Sequence, residues 1–176
     1  MTVMAMGSPI KSIQYVTFTS NGSSYLTFDV TITAVNLTYS IIIPLGGNSD
    51  HNAAGNNDGD SVRLSLEDAT TARATRKSAE ATYNYSWNAV VIEFRAAAVK
   101  SVQRHTISLA AETSKTATLS PAVVVAKSVI FSAGDLKWSN LGIAIVKLTL
   151  TNTTTVTATL GDRNSTTVGF AVVVFK

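Results

Sequence analysis

The sequence contains no cysteine and only two histidines, His51 and His105. The first absence excludes disulfide staples, cysteine-ligated zinc, iron–sulfur clusters and thiol nucleophiles. The second leaves too few imidazoles for a histidine-rich metal site within one chain. Charged residues make up only 14% and apolar residues 45%, so the chain can bury a core and is not a disordered tail. The net charge of +3 is too mild to imply a nucleic-acid partner without a concentrated basic patch. No apolar run approaches the ~20 residues of a spanning helix; the longest, near Val123–Val125 and Ala171–Phe175, are strand length. The segment Met1–Pro9 has neither a basic n-region nor a long apolar h-region, so no signal peptide is expected. The expectation is synthesis in a cytoplasm, without membrane crossing by the chain itself. On that reading the N-x-[ST] triplets at Asn21, Asn36, Asn84, Asn152 and Asn164 are chance in a chain rich in Asn, Ser and Thr.

Sustained 3.6-residue periodicity is also missing. Thr, Val and Ile are frequent instead, and β-branched side chains lose freedom in helices but pack well on pleated sheets. The composition is all-β. It also repeats. Ile10-Lys11-Ser12-Ile13-Gln14 recurs as Val99-Lys100-Ser101-Val102-Gln103, 89 residues on (103 − 14). Val62-Arg63-Leu64-Ser65-Leu66 recurs as Val146-Lys147-Leu148-Thr149-Leu150, and Thr70–Thr75 as Thr154–Thr159, both 84 residues on (146 − 62). Val91-Ile92-Glu93-Phe94 recurs as Val172-Val173-Val174-Phe175, 81 residues on (175 − 94). Four motifs in the same order with a slowly falling offset imply an internal duplication. The offset falls where turn residues lie, chiefly in Leu45–Asp60, and insertions in surface loops leave packed pairings intact.

Each copy reads as six strands. They fall near 12–20, 25–34, 38–44, 61–67, 70–76 and 85–95, then near 101–110, 114–120, 123–131, 144–151, 153–160 and 167–175. Val62, Leu64 and Leu66 alternate with Arg63, Ser65 and Glu67, and Val146, Leu148 and Leu150 with Lys147, Thr149 and Thr151. That period of two marks half-buried antiparallel strands. The predicted architecture is two tandem duplicated antiparallel β-sandwich or small-barrel domains of about six strands each. Residues 1–9 form an N-terminal extension, 10–95 copy one and 96–176 copy two. The last strand of each copy, Ala89–Ile92 and Phe170–Phe175, is apolar on both faces. It is either a central strand covered on both sides or one whose outer face docks on the sister copy or another subunit.

Candidate chemistry is sparse. His105 aligns with Val16 of copy one, which suggests a pocket-filling or edge residue, not a catalyst. His51 sits in a polar loop. No nucleophile elbow, HExxH, phosphate-loop or dinucleotide fingerprint is present, so the chain is not expected to be an enzyme or to carry a cofactor. The loop Asn48–Asp60 holds Asp50, Asn52, Asn56, Asp58 and Asp60. Calcium is considered there, but EF-hand spacing fails and the plain reading is a solvated turn. No metal site is assigned. Tyr83, Tyr85 and Trp87 alternate onto one face, and Trp138 lies in a loop. These four are the candidate partner or glycan contacts, with core or interface filling as the alternative. Arg73, Arg76 and Lys77 read as a solvated basic face.

The run Lys100-Ser101-Val102-Gln103-Arg104-His105-Thr106-Ile107, then Thr116–Ser120, Lys147–Thr159 and Val172–Phe175, resembles a β-rich repeat module of tailed-bacteriophage virion structural proteins. Copy two matches over nearly its whole length. Copy one matches through Lys11–Gln14, Val62–Leu66 and Val91–Phe94. His105 departs from the family's usual glycine, and Val174 from the acid kept as Glu93. The resemblance implies a non-enzymatic particle component: capsid decoration or cement, or a neck or tail appendage. Its expected partners are other virion proteins, with no nucleic acid and no membrane, and homo-oligomers, trimers among them, are expected. The alternative is a carbohydrate- or receptor-binding module of a tail fibre.

Overall fold

The computed structural model describes residues 7–20, 26–49, 62–76, 84–110, 112–137, 146–161 and 165–176. Among these the chain forms twelve strands, two 3-10 turns and no α-helix. The first six strands are β1 (Ile10–Ser20), β2 (Thr27–Thr31), β3 (Ser40–Ser49), β4 (Val62–Leu66), β5 (Thr71–Arg76) and β6 (Tyr85–Phe94). The second six are β7 (Val99–Leu109), β8 (Ser114–Thr118), β9 (Ser128–Lys137), β10 (Lys147–Asn152), β11 (Thr155–Thr159) and β12 (Thr166–Phe175). The protein is all-β, with antiparallel sheets in a sandwich-like arrangement.

The pairing scheme of residues 10–94 recurs in 99–175. β6 lies between β1 and β3, and β12 between β7 and β9. β5 lies between β2 and β4, and β11 between β8 and β10. Local devices recur with it. Thr70 N–H and hydroxyl donate to Asp68 Oδ1 at 2.7 and 3.0 Å, and Thr154 makes the same pair of bonds to Asn152 at 2.8 and 3.1 Å. Asp and Asn open such turns because a short side-chain acceptor reaches the amide two residues on. Gly46 and Gly134 take positive φ of 111° and 89° at irregularities in β3 and β9, a conformation that Cβ disfavours.

Two strands start later and run further than alternation predicts. β3 is Ser40–Ser49, not 38–44, and β9 is Ser128–Lys137, not 123–131. Each is preceded by a 3-10 turn, Leu37–Tyr39 and Val125–Lys127. The Ser40 and Ser128 hydroxyls close those turns onto the carbonyls of Asn36 and Val124, both at 2.7 Å. The apolar run Val123–Val125 therefore ends in a turn and not in a strand. β2 is also shorter than the expected 25–34. Beyond Thr31 the chain leaves the ladder, and Ile32 and Val35 amides bond to Thr70 and Ala69 carbonyls instead.

Among the described residues, three apolar clusters hold the fold together. One lies inside the first half, with Phe18, Leu64, Ala72, Trp87 and Val91. One lies inside the second, with Ile107, Val156, Ala158, Phe170 and Val172. The third joins the halves: Ile41 and Phe94 meet Val99, Ala171 and Val173. Phe94 and Phe175 touch edge-on across this seam, centroids 6.0 Å apart. The two-faced apolarity of β6 and β12 now has its cause. Each is central in its sheet, one face fills its own core, and the other packs on the sister half. Full burial of each such side chain is worth about 1.5–3 kcal/mol.

The halves also share a sheet. β4 pairs with β9 through Arg63 opposite Gly134, giving the six-stranded order β2-β5-β4-β9-β12-β7. A Cβ on Gly134 would collide with the Val62 carbonyl oxygen, so glycine is what permits this approach.

Candidate functional site

The aromatic candidates come first. Tyr85 and Trp87 do share one face of β6, as their alternation predicts, but it is the inward one. Their exposures are 3% and 4%. The two rings stack at 5.4 Å, and Phe28 tilts against Trp87 at 5.8 Å. Trp87 lies close over Gly47 of β3, where a Cβ would meet its ring. Neither ring offers a face to a sugar in this arrangement; both fill the first core. Tyr83 and Trp138 lie outside the described residues, as do His51, Lys77 and the part of the polar loop from Asp50 to Asp60.

The expected solvated basic face is corrected. Arg76 is 1% exposed, with its guanidinium carbon 4.8 Å from the Tyr85 centroid and 5.4 Å from that of Phe28. A guanidinium sheds its weak hydration readily and stacks on aromatic faces, so β5 can end in the core on an arginine. Arg73 is on the outward phase of β5 and is tied up. It grips both Asp29 oxygens at 2.7 and 2.8 Å and Glu67 at 3.0 Å. The Asp29 carboxylate raises the Arg73 pKa, and Arg73 lowers that of Asp29.

His105 projects to the same side of β7–β12 as its cross-strand partner Phe170, on which it stacks at 5.6 Å. Phe170 belongs to the second core, so the imidazole fills space there. Its Nε2 is buried without a hydrogen-bond partner, and burial lowers its pKa. Glu93 is buried as well, at 3% exposure. It accepts from Lys11 Nζ at 2.9 Å, the Ser12 hydroxyl at 3.3 Å and the Asn36 amide at 3.1 Å. Burial pushes its pKa up, but the Lys11 ammonium and the other donors outweigh this and hold it below the usual value. Glu93 and Asn36 tie β6 to the 3-10 turn ahead of β3, a structural job.

The feature with open chemistry lies where the halves meet. A cleft of about 280 Å³ is lined from the first half by Arg63 and Ser65 of β4 and by Glu67 just beyond it, and from the second by Arg104 and Thr106 of β7. The small residues Ala133, Gly169 and Ala171 line it too, beside the apolar Ile42, Leu64, Leu66 and Phe170. The aliphatic stem of Arg63 lies against Gly169, where a Cβ would come 2.9 Å from Arg63 Cγ. Arg104 Nη1 donates to the carbonyls of Leu37 at 2.6 Å and Ser40 at 2.9 Å, and so clasps the first half. Burial lowers the Arg104 pKa, yet a guanidinium stays cationic at neutral pH. The cleft's carboxylate, Glu67, is held by Arg73 at 3.0 Å and the Ser65 hydroxyl at 2.6 Å.

Arg63 and Arg104 do not stand out in the sequence. Arg63 is one polar residue of an alternating strand, and its counterpart is Lys147. Arg104 corresponds to Tyr15. Only the docking of the halves brings the two arginines to one cleft. Among the described residues no three His, Asp or Glu side chains gather as a metal site. Among the same residues no helix is long and apolar enough to cross a membrane. No family model matches the sequence, and searches of curated proteins and of solved structures return no match.

Proposed function

We propose that the chain is a non-enzymatic structural protein of a tailed-phage particle that assembles through the surfaces of its β units. The observation that carries this reading is the recurrence of one pairing scheme, with its Asx turns and positive-φ glycines, in both halves. A unit copied once and packed on its own copy makes a rigid double module, and its value lies in the faces it presents. Residues 100–175 carry the sequence resemblance to phage virion modules. The outward face of β1 adds a contact surface. β1 is the outer strand of its sheet, with Ile13 48% and Tyr15 77% exposed. Apolar side chains in a row on an edge strand favour association with another chain.

The experiment is light scattering on the purified chain, followed by binding to phage shells or tails. A stable homo-oligomer, with a trimer as the expected form, and saturable binding to particles support the proposal. Tyr15→Arg should shift the oligomer toward monomer with little change in melting temperature. A wild-type chain that stays monomeric and binds no particle overturns it. The alternative of a glycan-binding tail-fibre module rests on Tyr83 and Trp138, since Tyr85 and Trp87 are enclosed. Host-polysaccharide quenching of tryptophan fluorescence that disappears in Trp138→Ala would favour that alternative.

A further inference from the structure

We propose that the cleft between the halves binds a phosphate group, free or carried on a small ester, through Arg63 and Arg104. The argument is one of unspent donors. A guanidinium has five N–H groups in a fixed fork. The Arg63 guanidinium makes no hydrogen bond or ion pair with any described residue, although its stem lies against Gly169. Arg104 spends Nη1 on two backbone carbonyls, and no bond occupies Nε or Nη2 among the described residues. Thr106 adds a hydroxyl to the same wall. Two cations from opposite halves thus line one cleft, and the carboxylate beside them already serves Arg73 and Ser65. Like charges facing a partly desolvated space are costly without an anion between them.

The geometry favours phosphate over carboxylate. A carboxylate presents two oxygens along one edge, which a single guanidinium fork satisfies. A tetrahedral phosphate presents oxygens in several directions and can take donors from both walls at once. Glycine at 169 leaves room for the Arg63 stem, since a Cβ there would come 2.9 Å from Arg63 Cγ. An anion held this way would bridge β4 of the first half to β7 of the second.

The test is isothermal titration of the full chain with inorganic phosphate, glycerol 3-phosphate and acetate at constant ionic strength. One saturable phosphate site per chain is expected, with acetate weaker by roughly tenfold or more. Arg63→Gln should weaken phosphate by roughly tenfold, and Arg63→Lys by less. Arg63→Gln carries the test because Arg104→Gln also releases the carbonyls of Leu37 and Ser40. Its melting temperature without phosphate should match wild type, which separates lost binding from lost fold. Glycerol 3-phosphate binding as well as phosphate identifies an esterified ligand. Phosphate alone binding identifies the free ion. No saturable phosphate binding, equal binding by Arg63→Gln, or acetate as tight as phosphate overturns the assignment.

Discussion

Gln103 donates from Nε2 to the Pro121 carbonyl at 2.8 Å, while its Oε1 is buried with no partner. The corresponding glutamine of the first half is fully served. Gln14 Nε2 donates to the Thr33 carbonyl at 2.9 Å, and Gln14 Oε1 accepts the Thr33 amide at 2.7 Å. The difference is one atom: proline has no N–H to return. Gln14→Leu should therefore cost about 1 kcal/mol, through the loss of two bonds whose exposed Thr33 groups pass to water. Gln103→Leu should cost under about 1 kcal/mol, because it also removes an unsatisfied buried oxygen. Urea unfolding of the two variants checks the order.

Gly46 and Gly134 share a backbone conformation but not an environment. Nothing lies within 4 Å of a Cβ placed on Gly46, so Gly46→Ala should cost only the backbone term of about 1–2 kcal/mol. At Gly134 the Val62 carbonyl stands in the way, at the one register position where β4 meets β9. Gly134→Ala should cost more than about 3 kcal/mol and loosen the junction of the halves. Thermal melts give the ranking. Hydrogen exchange should show the Gly134 variant losing protection around β4 and β9, and the Gly46 variant not.

Glu93 and Val174 occupy matching positions and solve the same packing problem differently. Glu93 is 3% exposed and holds the Asn36 amide and the Lys11 ammonium. In the second half Val124 replaces the turn-capping Asn36, no side chain caps the turn, and Val174 fills the space. Glu93→Gln should cost about 1–3 kcal/mol at neutral pH through weakened charge-assisted bonds. Because the folded Glu93 pKa is depressed, its contribution is present above the ordinary value of 4.5 and is lost as pH falls through the folded value. Urea midpoints from pH 6 down to 3 should fall less steeply in Glu93→Gln than in wild type.

Much of this fold is readable from residue order. Val62, Leu64 and Leu66 alternate cleanly, and β4 lies within one residue of its expected ends. The repeat of Val91–Phe94 as Val172–Phe175 points to the two central strands and to the face on which the halves dock. Three things escape such a reading. The starts of β3 and β9 depend on serine hydroxyls that close 3-10 turns, and a hydroxyl has no periodic signature. Arg76 is in phase with the buried Ala72 and Ala74, but its charge argues for water, and only stacking on Tyr85 and Phe28 lets it sit inside. Arg63 and Arg104 are 41 residues apart in sequence (104 − 63) and come to line one cleft only through tertiary docking, so no spacing rule could join them. Tyr85 and Trp87 were legible as a shared face, but which side of the sheet that face takes depends on the partner sheet.

His105 offers the sharpest solution test. Its ring lies on Phe170 with Nε2 buried and unpartnered, where its counterpart Val16 makes an ordinary apolar contact. Burial disfavours the imidazolium and lowers the folded pKa below the ordinary 6.5. The unfolded chain then binds more protons than the folded one in the window from about 6.5 down to the folded value. Stability should rise with pH across that window and fall as the solution is acidified through it. His105→Val removes the titrating group and installs the residue that the first half uses. The variant should match or exceed wild type at pH 7.5, by up to about 1 kcal/mol, since an unsatisfied buried nitrogen disappears. Its lead should widen toward pH 5.5. Wild-type and variant urea midpoints that move in parallel between pH 7.5 and 5.5 would show instead that the imidazole is solvated in the native state.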